Sequence, residues 1–173
     1  RANFQSRILE EEFTKDGIAY TIFGSQSFYS RKEVRDLLAY CKAVLNPNDL
    51  DSFKRALGTL KGVGKKTVDG IIEMAANECV NFHDVLPLYL DTLNPNTVMY
   101  QRLSVFNGIL NTPYSLCSDI VNDVIFLTGY RQEIANLHNE ESIERLAIID
   151  EFQEMIVSME SNSENDSMSE IID

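Results

Sequence analysis

Residues 60–71 contain the densest group of side chains that could bind a ligand. They read Leu-Lys-Gly-Val-Gly-Lys-Lys-Thr-Val-Asp-Gly-Ile, which places two glycines and three lysines within a few positions. Glycine lets a ligand approach the backbone closely, and each lysine carries a positive charge at neutral pH. Exposed amides beside ammonium groups bind anions, above all phosphate. The segment therefore predicts a phosphate-binding site.

Two kinds of phosphate site have this composition. One is the nucleotide-binding loop GxxxxGK[ST], which follows a strand and surrounds the phosphates with backbone amides. Its spacing is not met, because Thr59 replaces the first glycine and Lys66 replaces the final serine or threonine. The pattern before the segment also predicts a helix and not a strand. Nucleotide binding at this segment is therefore disfavoured.

The other kind is a helix-hairpin-helix, whose turn has the form Leu-x-Gly-apolar-Gly-x-x-Thr-apolar-x-x-Ile. Residues 60–71 match it at every specified position. The glycines would supply backbone angles that side chains hinder, Val63 would anchor the turn in the core, and free amides of residues 64–67 would open a helix. The candidate contact residues are Lys61, Gly62, Val63, Gly64, Lys65, Lys66 and Thr67.

Phosphate contacts of this kind involve the DNA backbone and not the bases, so binding would be independent of base sequence. Neutralising roughly two to four phosphates predicts a slope of log K against log salt of about −2 to −4 on duplex DNA. The alternative for the same residues is a tight turn between helices whose lysines are only hydrated.

The charge of the chain is divided by position. The 173 residues hold 15 Lys and Arg against 27 Asp and Glu, for a net charge of −12. Residues 1–70 hold 12 basic and 9 acidic side chains, whereas residues 71–173 hold 3 and 18. From Lys54 to Lys66 there are five basic side chains and no acidic one. The candidate phosphate site therefore lies in a basic segment of an acidic chain.

The elements around this segment are predicted to be helices. Capping-box spacing at Ser30 and Glu33 begins one helix, whose apolar positions continue to Leu45. Asp49 is predicted to cap a shorter helix that ends at Gly58. Further helices are expected at about 67–79, 97–111, 115–128 and 142–159. The fold class is therefore mainly α, a helical bundle that contains the helix-hairpin-helix-like turn.

The N-terminal residues show a different pattern. A short helix is predicted at 6–13, and β-prone residues between two glycines predict a strand at 18–23. This helix and strand are interpreted as the edge of a neighbouring α/β domain. The predicted organisation is thus 1–27 as that edge, 28–157 as the helical domain and 158–173 as an acidic linker-like tail. Because the chain begins at Arg1, it is interpreted as a piece of a longer protein.

Three single cysteines without CxxC spacing, Cys41, Cys79 and Cys117, predict a reduced, cytoplasmic protein. The two histidines are far apart in the sequence, so no metal site is predicted. No apolar run approaches the roughly 18 residues of a membrane span, which disfavours a membrane partner.

Four blocks of the chain resemble the UvrD, PcrA and Rep group of superfamily 1 DNA helicases. They are RANFQSR with LEE at 1–11, GIAY at 17–20 with FYSRKEVRDLLAY at 28–40 and NP at 46–47, GVG at 62–64, and TGYR at 128–131 with DEF at 150–152. Two positions differ from the family pattern, since Lys61 stands where the family has arginine and Ser25 where it has glycine.

The resemblance implies the mobile helical domain that the family calls 2B, with the adjoining edge of motor domain 2A. In that family the motor domains bind ATP and Mg²⁺ and move along single-stranded DNA, while 2B contacts the duplex ahead. Carried over, this implies duplex contacts by residues 61–67 and places Arg1 and Asn3 near the single-strand track. The alternative for Arg1 and Asn3 is a strand end packed in the sheet.

The sequence contains neither a phosphate loop nor an identifiable acidic pair for Mg²⁺, so no catalytic residue is assigned and the fragment alone is not expected to hydrolyse ATP. The parent protein would be the ATP-dependent DNA helicase. The remaining helicase domains of the same chain would be its partners.

Two rival interpretations remain open at this point. A helix-hairpin-helix domain of another DNA repair protein, such as a glycosylase, would need a catalytic Asp, often with a Lys, after the hairpin, and no lysine follows Lys66. Alternatively, the acidic residues 71–173 would dock a basic protein partner.

Overall fold

The structure is a computed structural model that describes residues 9, 12, 13, 16–18 and 27–162. In the last of these ranges a short 3-10 turn, Phe28–Ser30, precedes eight α-helices. The helices are α1 Lys32–Leu45, α2 Leu50–Thr59, α3 Lys65–Glu78, α4 Phe82–Asp91, α5 Val98–Leu110, α6 Cys117–Leu127, α7 Tyr130–Ala135 and α8 Glu140–Asn162. The prediction of a mainly α fold is confirmed.

Helix α1 lies at the centre of the bundle. It packs against α2, α5, α6 and α8, so apolar residues are buried on more than one side of it. The predicted single stripe is therefore too narrow: Tyr40, Ala39 and Ala43 are buried although they lie outside it, whereas Leu38 and Leu45 are only half-buried. A helix with neighbours on several sides needs this wider apolar surface.

Aromatic rings join α1 to three other helices in the core. The ring of Tyr40 meets that of Phe106 edge to face at a centroid distance of 5.4 Å. Phe53 stacks on Phe82 with centroids 4.6 Å apart, and it also contacts Phe106 at 5.9 Å. Such pairs add to the free energy of burying the rings. They fix α2, which leads into the candidate phosphate site, against α1, α4 and α5.

The predicted caps have two outcomes. At the start of α2, Asp49 Oδ1 accepts a hydrogen bond from the amide of Ser52 at 3.0 Å, as predicted. The capping box at Ser30 is wrong, because Arg31 is the N-cap of α1 and the Ser30 hydroxyl donates to Ser27 O at 2.7 Å. Glu33 cannot reach back, since its carboxylate is buried and bound to Arg145.

Helices α4 and α7 are absent from the sequence prediction. Helix α4 contains Pro87, which usually ends a helix, but Asn81 caps its first turn and apolar residues bury its inner face. Helix α7 has only six residues and begins after Gly129, whose φ of 74° is left-handed. Both helices are held mainly by contacts that sequence periodicity does not reveal.

The remaining boundaries differ modestly. Helix α8 continues to Asn162, five residues into the segment assigned to the acidic tail, and 163–173 lie outside the described residues. Of the predicted N-terminal helix, Leu9, Glu12 and Phe13 are helical, and of the predicted strand only Ile18 is described, which is not in a strand. None of the described helices is both long enough and apolar enough to cross a membrane.

Candidate nucleic-acid interface

The connection between α2 and α3 folds as a tight, anchored turn. The amide of Leu60 donates to Leu57 O at 3.1 Å, and the amide of Val63 donates to Leu60 O at 3.0 Å. Gly62 has a φ of 85°, a left-handed value that an L side chain rarely adopts. Leu60 and Val63 are both buried, so they hold the turn in the core as the spacing predicted.

The N-terminus of α3 presents free backbone amides. Gly64 is its N-cap, and no side chain caps this helix end. The amides of Thr67 and Val68 both donate to Gly64 O, at 3.0 and 3.1 Å. Within the described part of the chain, the amides of Gly64, Lys65 and Lys66 have no acceptor. The positive end of the helix dipole is thus open at three amides, not at the four predicted, because that of Thr67 is used.

The side chains of the predicted site divide into two groups. Lys61, Lys65 and Lys66 are exposed, and no carboxylate of the described residues lies within 4.0 Å of them. Val63 faces the core, and the hydroxyl of Thr67 donates to Met99 Sδ at 3.5 Å. Thr67 therefore faces α5, so its side chain does not add to the anion-binding surface.

The other predicted site residues are not brought to this surface. Arg1 and Asn3 lie outside the described residues. Nor do three or more His, Cys, Asp or Glu side chains of the described ranges come together as a metal site. The candidate interface thus consists of the turn and the first residues of α3, a surface of lysine ammonium groups and backbone amides.

The glycines near the turn provide a test of its geometry. We expect Gly62→Ala to lower the free energy of unfolding by about 1 to 2 kcal/mol, because a left-handed backbone strains any Cβ. Gly58 is the matched control: it lies in α2 with open space where an added methyl group would sit, so Gly58→Ala is expected to stabilise by about 0.5 kcal/mol. Urea denaturation checks both values, and equal effects would contradict the turn geometry.

A second polar cluster was not predicted from the sequence. Asp36 is 2% exposed, and its carboxylate accepts from Arg55 Nη2 at 2.7 Å and from the Tyr130 hydroxyl at 2.7 Å. Glu33, also buried, accepts from Arg145 Nε at 2.6 Å. Burial and the Asp36 carboxylate raise the pKa of the Tyr130 hydroxyl above its usual value. The available signal was two carboxylates three residues apart in an otherwise apolar helix.

This cluster joins distant parts of the chain. Glu33 and Asp36 belong to α1, whereas Tyr130 and Arg145 belong to α7 and α8. Each charge is paired, so the cluster holds the helices in register without leaving a buried charge alone. No described lysine of the hairpin takes part in it.

The helical architecture, the glycine turn and the paired cluster together match one class of protein. The sequence model of the UvrD-like helicase C-terminal domain matches residues 1–173, and the chain belongs to this family. The ATP-dependent DNA helicase PcrA of Staphylococcus epidermidis is 34% identical to it over 169 residues, which cover 94% of this chain and 23% of the relative.

PcrA of Staphylococcus aureus is 32% identical over 169 residues, with the same coverage of 94% and 23%. The chain therefore spans 23% of the length of these curated relatives. The resemblance to superfamily 1 helicases is confirmed. Two of the blocks that carry the resemblance contain the paired cluster, since Glu33 and Asp36 lie in 28–40 and Tyr130 in 128–131.

Proposed function

We propose that this chain is a duplex-contacting, regulatory domain of an ATP-dependent DNA helicase. Residues 28–157 would correspond to domain 2B, residues 1–27 to the edge of motor domain 2A and residues 158–173 to an acidic linker-like tail. Membership of the UvrD-like family and the name of the PcrA relatives support the helicase assignment. The helix end described above supports the contact with DNA.

One observation carries the proposal. Three free amides at the start of α3 lie in the same turn as three exposed lysines without a carboxylate partner among the described residues. A phosphate oxygen accepts hydrogen bonds from such amides, and the helix dipole and the ammonium groups both favour its negative charge. The side chain of Val63 holds the turn in place, so the amides do not have to be ordered on binding.

This surface binds phosphates and does not distinguish bases. No side chain of the turn is long and planar enough to make a paired contact with a base edge, because its cations are all lysines. Lys61, where the family has arginine, supplies a point charge and not a forked donor. We therefore expect binding to depend strongly on salt and little on base sequence.

The acidic residues 71–173 determine how DNA approaches. They hold 18 acidic and 3 basic side chains and repel the duplex. An approach from the hairpin side brings the DNA to the positive surface first. The same repulsion would keep the duplex from the rest of the domain as it changes orientation.

ATP hydrolysis belongs to the motor domains of the parent protein in this proposal. The sequence has no GxxxxGK[ST] segment, so ATP and Mg²⁺ would bind elsewhere in the longer chain. There they would supply the energy for translocation and strand separation. The three free cysteines agree with a cytoplasmic location.

A second candidate function, docking of a basic protein, is favoured by one surface. Phe126 is 85% exposed on α6 and shares a shallow depression with Asp123 and Asp150. An exposed aromatic ring beside carboxylates suits a peptide that carries both an apolar and a basic side chain. This surface does not include the hairpin, so the two functions are compatible.

The duplex contact is tested by titrating the isotopically labelled chain with a short DNA duplex at low salt. We expect the amides of residues 62–67 to shift selectively. We expect Lys65→Gln with Lys66→Gln to reduce the slope of log K against log salt by about 1.8, so that the ratio of affinities at 50 and 200 mM salt falls about 10-fold.

The matched control is Ala147→Glu with Ser161→Glu, which changes the net charge by the same amount at exposed positions of α8. This control is expected to bind nearly as the unaltered chain does. If the lysine variant and the control bind DNA equally well, the hairpin is not the contact. Duplexes of different base sequence should give the same affinity.

A further inference from the structure

The basic side chains of the described residues fall into two groups. Five arginines, at 31, 55, 102, 131 and 145, each lie within 4.0 Å of a carboxylate. Six cations of the described chain have no such partner, namely Lys32, Arg35, Lys54, Lys61, Lys65 and Lys66. The hairpin accounts for three of these six. The other three lie near the start of α1 and in α2.

Lys32, Arg35 and Lys54 border a groove between α1, α2, α7 and α8. One part of it has a volume of about 430 Å³ and is lined by Lys32, Lys54 and Arg55 among others. The other part, of about 520 Å³, is lined by Lys32, Arg35 and Arg55 among others. Because Lys32, Arg55 and Arg145 line both parts, they form one continuous depression, which we call the α1–α2 groove.

The net charge of this groove is positive at its rim. Glu33 and Asp36 are neutralised by Arg145 and Arg55, and Glu144 is neutralised by Arg31 at 3.0 Å. Glu133 pairs with Arg102 at 3.5 Å. The cations Lys32, Arg35 and Lys54 then face a single lining carboxylate without an ion pair, Glu141. In a chain of net charge −12 this excess of positive charge is unusual.

Helix α2 connects the groove to the hairpin. Lys54 and Gly58 line the groove from α2, and Lys61 follows two residues after the end of the helix. At 1.5 Å of rise per residue, Lys54 lies about 10 Å from Lys61 along the helix direction. Nucleotides of one strand advance about 3.4 Å each along the duplex axis, so this distance corresponds to about three nucleotides. The two groups of cations can therefore contact one stretch of backbone.

We infer that Lys32, Arg35 and Lys54 form a second phosphate contact on the same duplex that the hairpin binds. The DNA backbone runs from the N-terminus of α3 along α2 to the start of α1. The inference rests on the proposed function and enlarges its contact area. Two separated contacts also fix the direction of the duplex axis relative to the domain, which a single contact cannot do.

The test compares three variants by fluorescence anisotropy on a duplex between 50 and 200 mM salt. The groove variant is Lys32→Gln, Arg35→Gln and Lys54→Gln, and the hairpin variant is Lys65→Gln with Lys66→Gln. We expect the groove variant to reduce the salt slope by about 2.7, so that the ratio of affinities at 50 and 200 mM falls about 40-fold. Ala147→Glu with Ser161→Glu again serves as the charge control.

The substituted cations are exposed and make no ion pair among the described residues, so thermal unfolding of each variant should match that of the unaltered chain. If only the hairpin variant loses affinity, the second contact is refuted and the proposed function stands. If only the groove variant loses affinity, the groove contact is retained and the hairpin contact is refuted. If no variant differs from the charge control, both contacts are refuted.

Discussion

The Arg145→Met variant is expected to unfold with a free energy about 3 kcal/mol lower than that of the unaltered chain at neutral pH. The Glu33 carboxylate is 4% exposed and accepts from Arg145 Nε at 2.6 Å. Without the guanidinium, Glu33 is left as a buried charge with no cation, and the cost of its removal from water is no longer offset. Urea denaturation followed by circular dichroism measures the loss.

A second ion pair of the same chain provides the matched control. Arg131 also pairs with a carboxylate of α8, Asp150, but the two side chains are 40% and 53% exposed. Water screens such a pair, so Arg131→Met is expected to cost less than about 1 kcal/mol. Glu33→Gln in the Arg145→Met background should recover most of the loss, since the buried charge is then absent. Equal losses for both arginine variants would show that burial of Glu33 is not the cause.

This cluster also shows what sequence patterns cannot reveal. Periodicity predicts that α1 is a helix and that most of its apolar residues are buried. It gives no reason to bury Glu33, whose partner lies 112 residues later, or Asp36, whose partner Tyr130 lies 94 residues later. Partners so far apart in sequence are identified only once the helices are packed. The false capping box at Ser30 has the same origin, because local spacing suggested a local partner for Glu33.

The hairpin is the opposite case. Its anchors, its glycines and its lysines all lie within residues 60–67, so their spacing alone predicted the turn and the buried side chain of Val63. The error at Thr67 arises where a distant contact enters, since its hydroxyl binds Met99, 32 residues further on. The unpaired state of the groove cations likewise depends on which carboxylates the arginines of α2 and α8 have taken.

Alkaline pH is expected to unfold the domain steeply between about pH 9 and 11. Burial raises the pKa of the Tyr40 hydroxyl and of the Cys41 thiol in the core, and burial with the nearby Asp36 raises that of Tyr130. Burial raises the pKa of Cys117 to about 11. In the unfolded chain these groups ionise at their ordinary values, about 8.5 for Cys and 10 for Tyr. Circular dichroism and tyrosinate absorbance, recorded against pH, measure the transition.

The sign of this effect follows from proton binding. A raised pKa means that the folded state keeps a proton that the unfolded state has lost, so the stabilisation is complete below the unfolded pKa and falls as pH rises above it. Each such group removes about 1.4 kcal/mol per pH unit, and the four together remove several kcal/mol by about pH 11. This is comparable with the whole stability of an ordinary domain.

Tyr40→Phe isolates one contribution. The Thr59 hydroxyl donates to Ala56 O at 2.8 Å and accepts from Tyr40 at 2.6 Å, so removing the phenol oxygen leaves no buried donor unpaired. The variant should therefore lose little stability at neutral pH, and above about pH 10 its stability should fall less steeply by about 1.4 kcal/mol per pH unit. Tyrosinate absorbance that rises fully near the ordinary pKa while the helical signal persists would contradict this account, because the buried phenols would then be ionising in the folded domain.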